Sequence, residues 1–161
     1  MAVGADTQTD ADREVVVSRI IEGPRKLVFD AFTDVTHLGK WWVARNGSSI
    51  TTHSFEFRPG GVWDATIHAG GSDFPNYIVW KEITPPERLV WMYYGAGKAD
   101  PDPVETTLTL ADHGATTEAT LRLVFGSKAV RDEMVAKYHA AAGARQALNA
   151  LATYVGEERQ A

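Results

Sequence analysis

SFEFRPGGVWDATI, residues 54–67, alternates large apolar and polar side chains on either side of Pro59-Gly60-Gly61. An apolar period of two belongs to a half-buried strand, and Pro-Gly-Gly is a turn signal. The stretch therefore predicts an antiparallel hairpin. Phe55, Phe57, Trp63, Ala65 and Ile67 are expected on its buried face, with Phe57 opposite Trp63. That pairing sets Phe55 against Ala65 and His53 against Ile67, so His53 points inward and His68 outward. A slip of one residue would expose the aromatics.

The same period runs through the middle of the chain. Strands are expected near 50–58, 62–69, 76–84, 88–95, 104–111 and 116–125, separated by Gly- and Pro-rich breaks. The buried face of 76–84 stays open, because Tyr77/Val79/Lys81 and Ile78/Trp80/Glu82 are both mixed sets. Upstream, VVVSRII (15–21) is β-branched and reads as a further strand, ended by Gly23-Pro24. Pro24 suits the first turn of a helix in which Leu27, Val28, Ala31 and Phe32 fall at helical spacing. Asp34 can cap a second short helix carrying Leu38, Trp41 and Trp42. Downstream, 127–158 is rich in Ala and helix formers. Val130, Met134, Tyr138, Ala141, Leu148, Ala152 and Val155 trace one apolar stripe there, with Gly143 expected to bend or split the helix.

Short connections favour a meander over βαβ units. The expected fold is α+β: a curved antiparallel sheet of about seven strands around a long C-terminal helix, with two short helices after the first strand. Residues 13–158 read as a single domain, and the acidic residues 1–12 as a loose tail.

Composition narrows the function classes. The 161 residues are 44% hydrophobic and 23% charged, with a net charge of −5 and no basic stripe, which argues against nucleic acid as a partner. No cysteine is present, so disulfides and thiolate chemistry are excluded. No apolar run is long enough for a membrane span, and the polar start lacks the features of a secretory signal, so cytoplasmic residence is expected. The five histidines show no metal-ligand spacing, there is no Gly-x-Ser-x-Gly elbow, and the paired glycines lack a P-loop lysine. The expectation is no metal, no cofactor and no catalytic residue.

His53 has two readings: a histidine at the core rim, bonded to a backbone carbonyl, or a polar anchor or acid–base group. The aromatics likewise either fill a core or line a pocket.

Several phrases in order resemble a known family. They are Pro24-Arg25-x-Leu27-Val28-Phe29, the Trp41-Trp42 pair, Arg58-Pro59-Gly60-Gly61-x-Trp63, Pro85-Pro86-Glu87-Arg88-Leu89-Val90, and Thr117 to Leu123. Over residues 14 to 156 the chain resembles the activators of the 90-kDa heat-shock protein's ATPase, within the START-like (SRPBCC, birch-pollen-allergen) superfamily. The resemblance implies the helix-grip fold and a hydrophobic ligand cavity. It does not imply one activity, since that superfamily includes lipid carriers, hormone receptors, cyclases and chaperone regulators. Many relatives carry Gly-Trp where this chain has Gly143-Ala144, a change that enlarges or reshapes such a cavity.

A curved sheet under a covering helix leaves a wedge, and the small residues 140–144 cannot fill a wide one. A pocket is expected there with contributions from Phe32, Trp42, His53, Phe55, Trp63, Trp91, Tyr93, Met134 and Tyr138. The favoured function is binding of a hydrophobic small molecule by a monomer or homodimer. The alternative is a regulatory domain whose partner is a chaperone or another protein. A third reading, an enzyme, has only His53 to nominate, with Tyr77 or Tyr93 near it.

Overall fold

β-branched residues favour extended backbone, and the run from Val15 to Ile21 makes the first strand, β1 (Glu14–Ile21). The computed structural model describes residues 10–43 and 47–160. Most of the expected tail, residues 1–9, lies outside the described residues. Its last three residues open a short helix, α1 (Asp10–Arg13), that runs directly into β1.

After β1 come α2 (Arg25–Asp30) and α3 (Val35–Trp41). The Asp34 side chain caps α3 by accepting a hydrogen bond from the Thr36 N–H at 2.6 Å, as its sequence position predicts. Six strands follow: β2 (Ser49–Phe55), β3 (Val62–Ala69), β4 (Ser72–Thr84), β5 (Arg88–Tyr94), β6 (Val104–His113) and β7 (Thr116–Val124). Two helices end the fold, α4 (Lys128–Tyr138) and α5 (Ala140–Gln160). All seven strands form one antiparallel sheet in the order β1-β7-β6-β5-β4-β3-β2. The α+β helix-grip architecture expected from the periodicities is the observed one. Helix α5 packs chiefly along β1, and touches α2, α3, α4 and β7. Ala144, Leu148, Leu151, Tyr154 and Val155 are the side chains it buries.

The buried face of β4 is now assigned. Asn76, Ile78 and Trp80 point inward and are fully buried. A bulge between Trp80 and Glu82 then resets the phase, so that Ile83 pairs with Leu89 on the same side.

The first hairpin has a different register from the expected one. Phe55, rather than Phe57, lies opposite Trp63, and a bulge between Thr52 and Ser54 removes His53 from the ladder. The cause is the turn. Residues 56–61 leave the strand: the Glu56 N–H donates to Val62 O, and Gly60 and Gly61 exchange backbone hydrogen bonds with Trp80. A Cβ at Gly61 would stand 2.1 Å from the Glu56 carbonyl oxygen, so only glycine closes this turn. The bulge turns His53 to the outer face, where its Nε2 meets Thr66 Oγ1 at 2.8 Å. Phe55 and Trp63 keep their inward direction, and the Trp63 indole N–H donates to Thr52 Oγ1 at 3.1 Å.

Two further boundaries moved. Strand β4 begins at Ser72, not 76, because Gly70 and Gly71 both adopt positive φ and make a two-residue hairpin turn. Residues 72–76 pair with β3 alone, where Pro75 is tolerated. The terminal helix breaks at His139, which is left-handed with φ 55°, and not at Gly143. The Gly143 N–H donates to His139 O at 2.8 Å and sits inside the first turn of α5.

Trp63 is fully buried and touches the rings of Trp42 at 5.0 Å and Phe55 at 6.1 Å. Trp63→Ala is expected to destabilise the fold by roughly 3–5 kcal/mol. Urea unfolding checks this, and an unchanged midpoint would show that the indole is not in the core.

Candidate functional site

The inner face of the sheet is divided into a filled half and a hollow half. Toward β2, Phe29, Phe55, Phe57, Trp63 and Trp80 form one connected ring cluster with centroid separations between 4.9 and 6.5 Å. Trp42 and Trp91 carry the cluster on to Phe32 and Trp41. The Trp42 indole N–H is held by Asn76 Oδ1 at 3.0 Å, and that of Trp41 by Ala31 O at 3.0 Å. These bonds fix both indoles at the boundary between the halves.

Beyond that boundary lies a hollow of about 540 Å³. Its floor is the alternating inner face of the sheet: Trp91 and Tyr93 from β5, Val104, Thr106 and Leu108 from β6, Leu121 and Leu123 from β7. Its roof is Val130 and Met134 of α4 and Ala140, Gly143, Ala144, Ala147, Leu148 and Leu151 of α5. Small residues dominate the first two turns of α5, so the roof stands off the floor. Ordinary small-molecule sites occupy about 300–1,000 Å³.

Burial locates the mouth. Trp91, Val104, Leu108, Leu121 and Leu148 are buried, whereas Gly95, Asp102, Glu133, Tyr138 and His139 are exposed. The opening therefore lies between the β5–β6 connection and the α4–α5 junction. The Asp100 carboxylate is occupied in holding that connection, accepting from the Ala96 N–H at 3.0 Å and the Asp102 N–H at 2.9 Å. Burial pushes the Tyr93 phenol up from its ordinary pKa, and the Asp100 charge adds to the shift.

One polar side chain sits deep inside. Thr106 is 6% exposed and lines the hollow, yet its hydroxyl has no hydrogen-bond partner among the described residues. The hydroxyl opens onto the hollow, where water or a ligand atom can pair with it.

Six of the expected site residues line the hollow together: Phe32, Trp42, Trp91, Tyr93, Met134 and Tyr138. Three do not. Phe55 and Trp63 belong to the ring cluster, and His53 faces outward from its bulge. Asp100, Asp102, Thr106, Leu108, Leu121 and Leu123 escaped notice in the sequence. For Thr106, Leu108, Leu121 and Leu123 the signal is the period-two alternation of β6 and β7, which places them on the concave face. Asp100 and Asp102 lie in the β5–β6 connection, where no such period runs.

A second, open groove of about 890 Å³ runs outside, between the end of α3 and the far side of α5. It shares Trp41, Trp42, Gly143 and Ala147 with the inner hollow, but Lys40, Gln146, Asn149, Thr153 and Glu157 give it a polar rim. Tyr154 borders it, donating to Glu158 Oε1 at 3.1 Å and meeting His37 Nδ1 at the same hydroxyl. Burial, the Glu158 hydrogen bond, and the charges of Glu158 and Asp34 push this phenol up to about 12. No group of three or more metal-ligating side chains is placed to hold an ion among the described residues.

A curved seven-stranded sheet closed by a C-terminal helix, with a hollow between, defines a START-like helix-grip protein. The chain belongs to the family described as activator of Hsp90 ATPase homolog 1-like protein, whose model matches residues 22–156. No curated protein matches the chain. Solved structures share the fold. A crystal structure of a Nitrosomonas europaea protein is 24% identical, with TM-score 0.77, over 95% of this chain and 100% of that one. A solution structure of an Arthrobacter aurescens protein is 18% identical, with TM-score 0.80, over 92% and 89%. A crystal structure from Chromobacterium violaceum is 23% identical, with TM-score 0.74, over 89% and 96%. No helix among the described residues is long and apolar enough to cross a membrane.

Two predictions follow from the site. Thr106→Val removes a hydroxyl that bonds to nothing in the protein, so stability should stay within about 0.5 kcal/mol or rise. A loss above about 1 kcal/mol would reveal a protein partner. Tyr154 keeps its proton in the folded state at pH values where the unfolded chain, with a phenol near 10, has lost it. Its stabilisation is therefore complete below about pH 10 and lost as pH climbs toward 12. Tyr154→Phe should flatten stability measured across that window, and an unaltered alkaline slope would assign the effect elsewhere.

Proposed function

We propose that the protein binds a hydrophobic small molecule in the hollow between its C-terminal helices and the concave sheet. Residues 13–158 act as one START-like domain in the cytoplasm, without a metal or cofactor. The observation that carries this reading is the hollow itself: about 540 Å³, floored and roofed by apolar side chains, open at one end. Close packing is the rule in protein interiors, and a void of this size is unusual unless something occupies it. Phe32, Trp42, Trp91 and Met134 supply contact area, while Tyr93, Tyr138 and Thr106 supply polar atoms. Ala144 stands where many relatives carry tryptophan, and its small side chain keeps the roof high.

The alternative partner, a chaperone or other protein, has less support. A docking surface needs a contiguous apolar patch. The large exposed apolar side chains among the described residues are Val16 and Ile20 on β1, Phe74 on β4 with three strands between it and β1, and Tyr138 at the end of α4. Spread over three elements, they form no such patch among the described residues.

Native mass spectrometry of freshly purified protein tests the reading, with a co-purified small molecule as the expected result. Ala144→Trp tests the location. An indole at this position is expected to fill the hollow and abolish uptake of an apolar dye while the protein stays folded. If the hollow is already filled, the same substitution overpacks the core, costing about 1–3 kcal/mol, and dye uptake is absent in both forms. A saturating ligand, at a hundredfold excess over its Kd, should stabilise the parent protein by about 2.7 kcal/mol.

A further inference from the structure

The hollow is apolar within and acidic at its mouth. Three carboxylates line it, those of Asp100, Asp102 and Glu133, and no lysine or arginine does; His139 is the single lining side chain able to carry positive charge. Asp100 spends both carboxylate oxygens on backbone N–H groups of its own loop. The Asp102 side chain is exposed and its carboxylate has no hydrogen-bond or ion-pair partner among the described residues. Glu133 faces Lys137 at 3.6 Å, an exposed pair of small value that leaves the carboxylate available. Two phenol rings, Tyr93 and Tyr138, share this rim, and Tyr138 is 65% exposed. An exposed tyrosine on a rim that carries carboxylates is the setting in which an organic cation gains both charge attraction and ring contact.

A second observation is independent of the acids. Thr106 lies two residues along β6 from Val104, about 7 Å further in. Its side chain is 6% exposed and its hydroxyl faces the hollow without a protein partner among the described residues. An occupant with a hydrogen-bonding atom inward of the rim therefore gains a bond there that a plain hydrocarbon cannot make.

We propose, on the basis of the binding function above, that the ligand is an apolar organic cation. Its largely apolar body packs between Leu108, Leu121 and Leu148 with a hydrogen-bonding atom toward Thr106, and its amine is held at the mouth by Asp102 and Glu133 beside Tyr93 and Tyr138. An anionic lipid or fatty acid is disfavoured at the same rim, because its head group would meet three lining carboxylates and no lining lysine or arginine.

The test uses three probes of one chain length, decylamine, decanol and decanoate, with binding to the full chain read from tryptophan fluorescence. The amine is expected to bind at least about tenfold tighter than the carboxylate, with the alcohol between. The double variant Asp102→Asn, Glu133→Gln, both at exposed positions, should bring that ratio down at least about fivefold. If decanoate binds as well as decylamine, or the double variant leaves the ratio unchanged, the cation assignment is overturned while small-molecule binding stands. If none of the three binds, the binding function fails and the cation assignment with it.

Discussion

The width of the sheet relative to the helix that covers it governs this structure. Seven strands about 4.8 Å apart span roughly 29 Å, and an α-helix with its side chains is about 10 Å across. One helix lying along β1 cannot cover the whole inner face. The chain answers with large rings on the far side: five interlocked aromatics from Phe29 to Trp80 close the space over β2 to β4. Neither device reaches the middle, over β5 to β7, and there the hollow remains. A hollow at this place follows from the mismatch between sheet and cover, and the small residues on α5 preserve it.

The same geometry explains where polar groups sit. Trp42 and Trp41 stand at the border between filled and hollow halves, and each has its indole N–H tied to a neighbour. Held in this way, they form a rigid wall rather than mobile filler. The helical cover is broken at left-handed His139, which borders the mouth and separates α4 from α5. The loop from β5 to β6 closes the other side and is braced by Asp100. Charge gathers at the rim because carboxylates there remain hydrated, whereas one placed beside Leu108 or Leu148 would lose its water without a partner.

Much of the fold was legible in the sequence, because each element carries its own period. Alternation gave the strands, helical spacing gave α2 and α3, and Asp34 announced its cap. What failed were features decided by contacts distant in the chain. The hairpin register turned on the close approach of Gly61 to the Glu56 carbonyl and on pairing of the turn with Trp80. His53 left the inner face through a bulge that no local pattern signals. Gly143 looked like the weak point of the last helix, yet the chain bends at His139, a residue with a Cβ in the left-handed region. The site was half legible. Aromatic residues stood out, but sequence alone could not sort those that fill the core, such as Phe55 and Trp63, from those that wall the hollow, such as Trp91 and Tyr93. That division depends on where α5 settles across the sheet.

The central claim is that the space between α5 and strands β5 to β7 is empty of protein and lined by apolar atoms. Xenon enters such cavities, as engineered apolar voids demonstrate. Crystals of the protein under xenon pressure measure this directly. Discrete xenon density enclosed by Trp91, Leu108, Leu121 and Leu148 is the predicted result. Side chains from helix and sheet meeting in van der Waals contact there, with no xenon between them, would contradict the account.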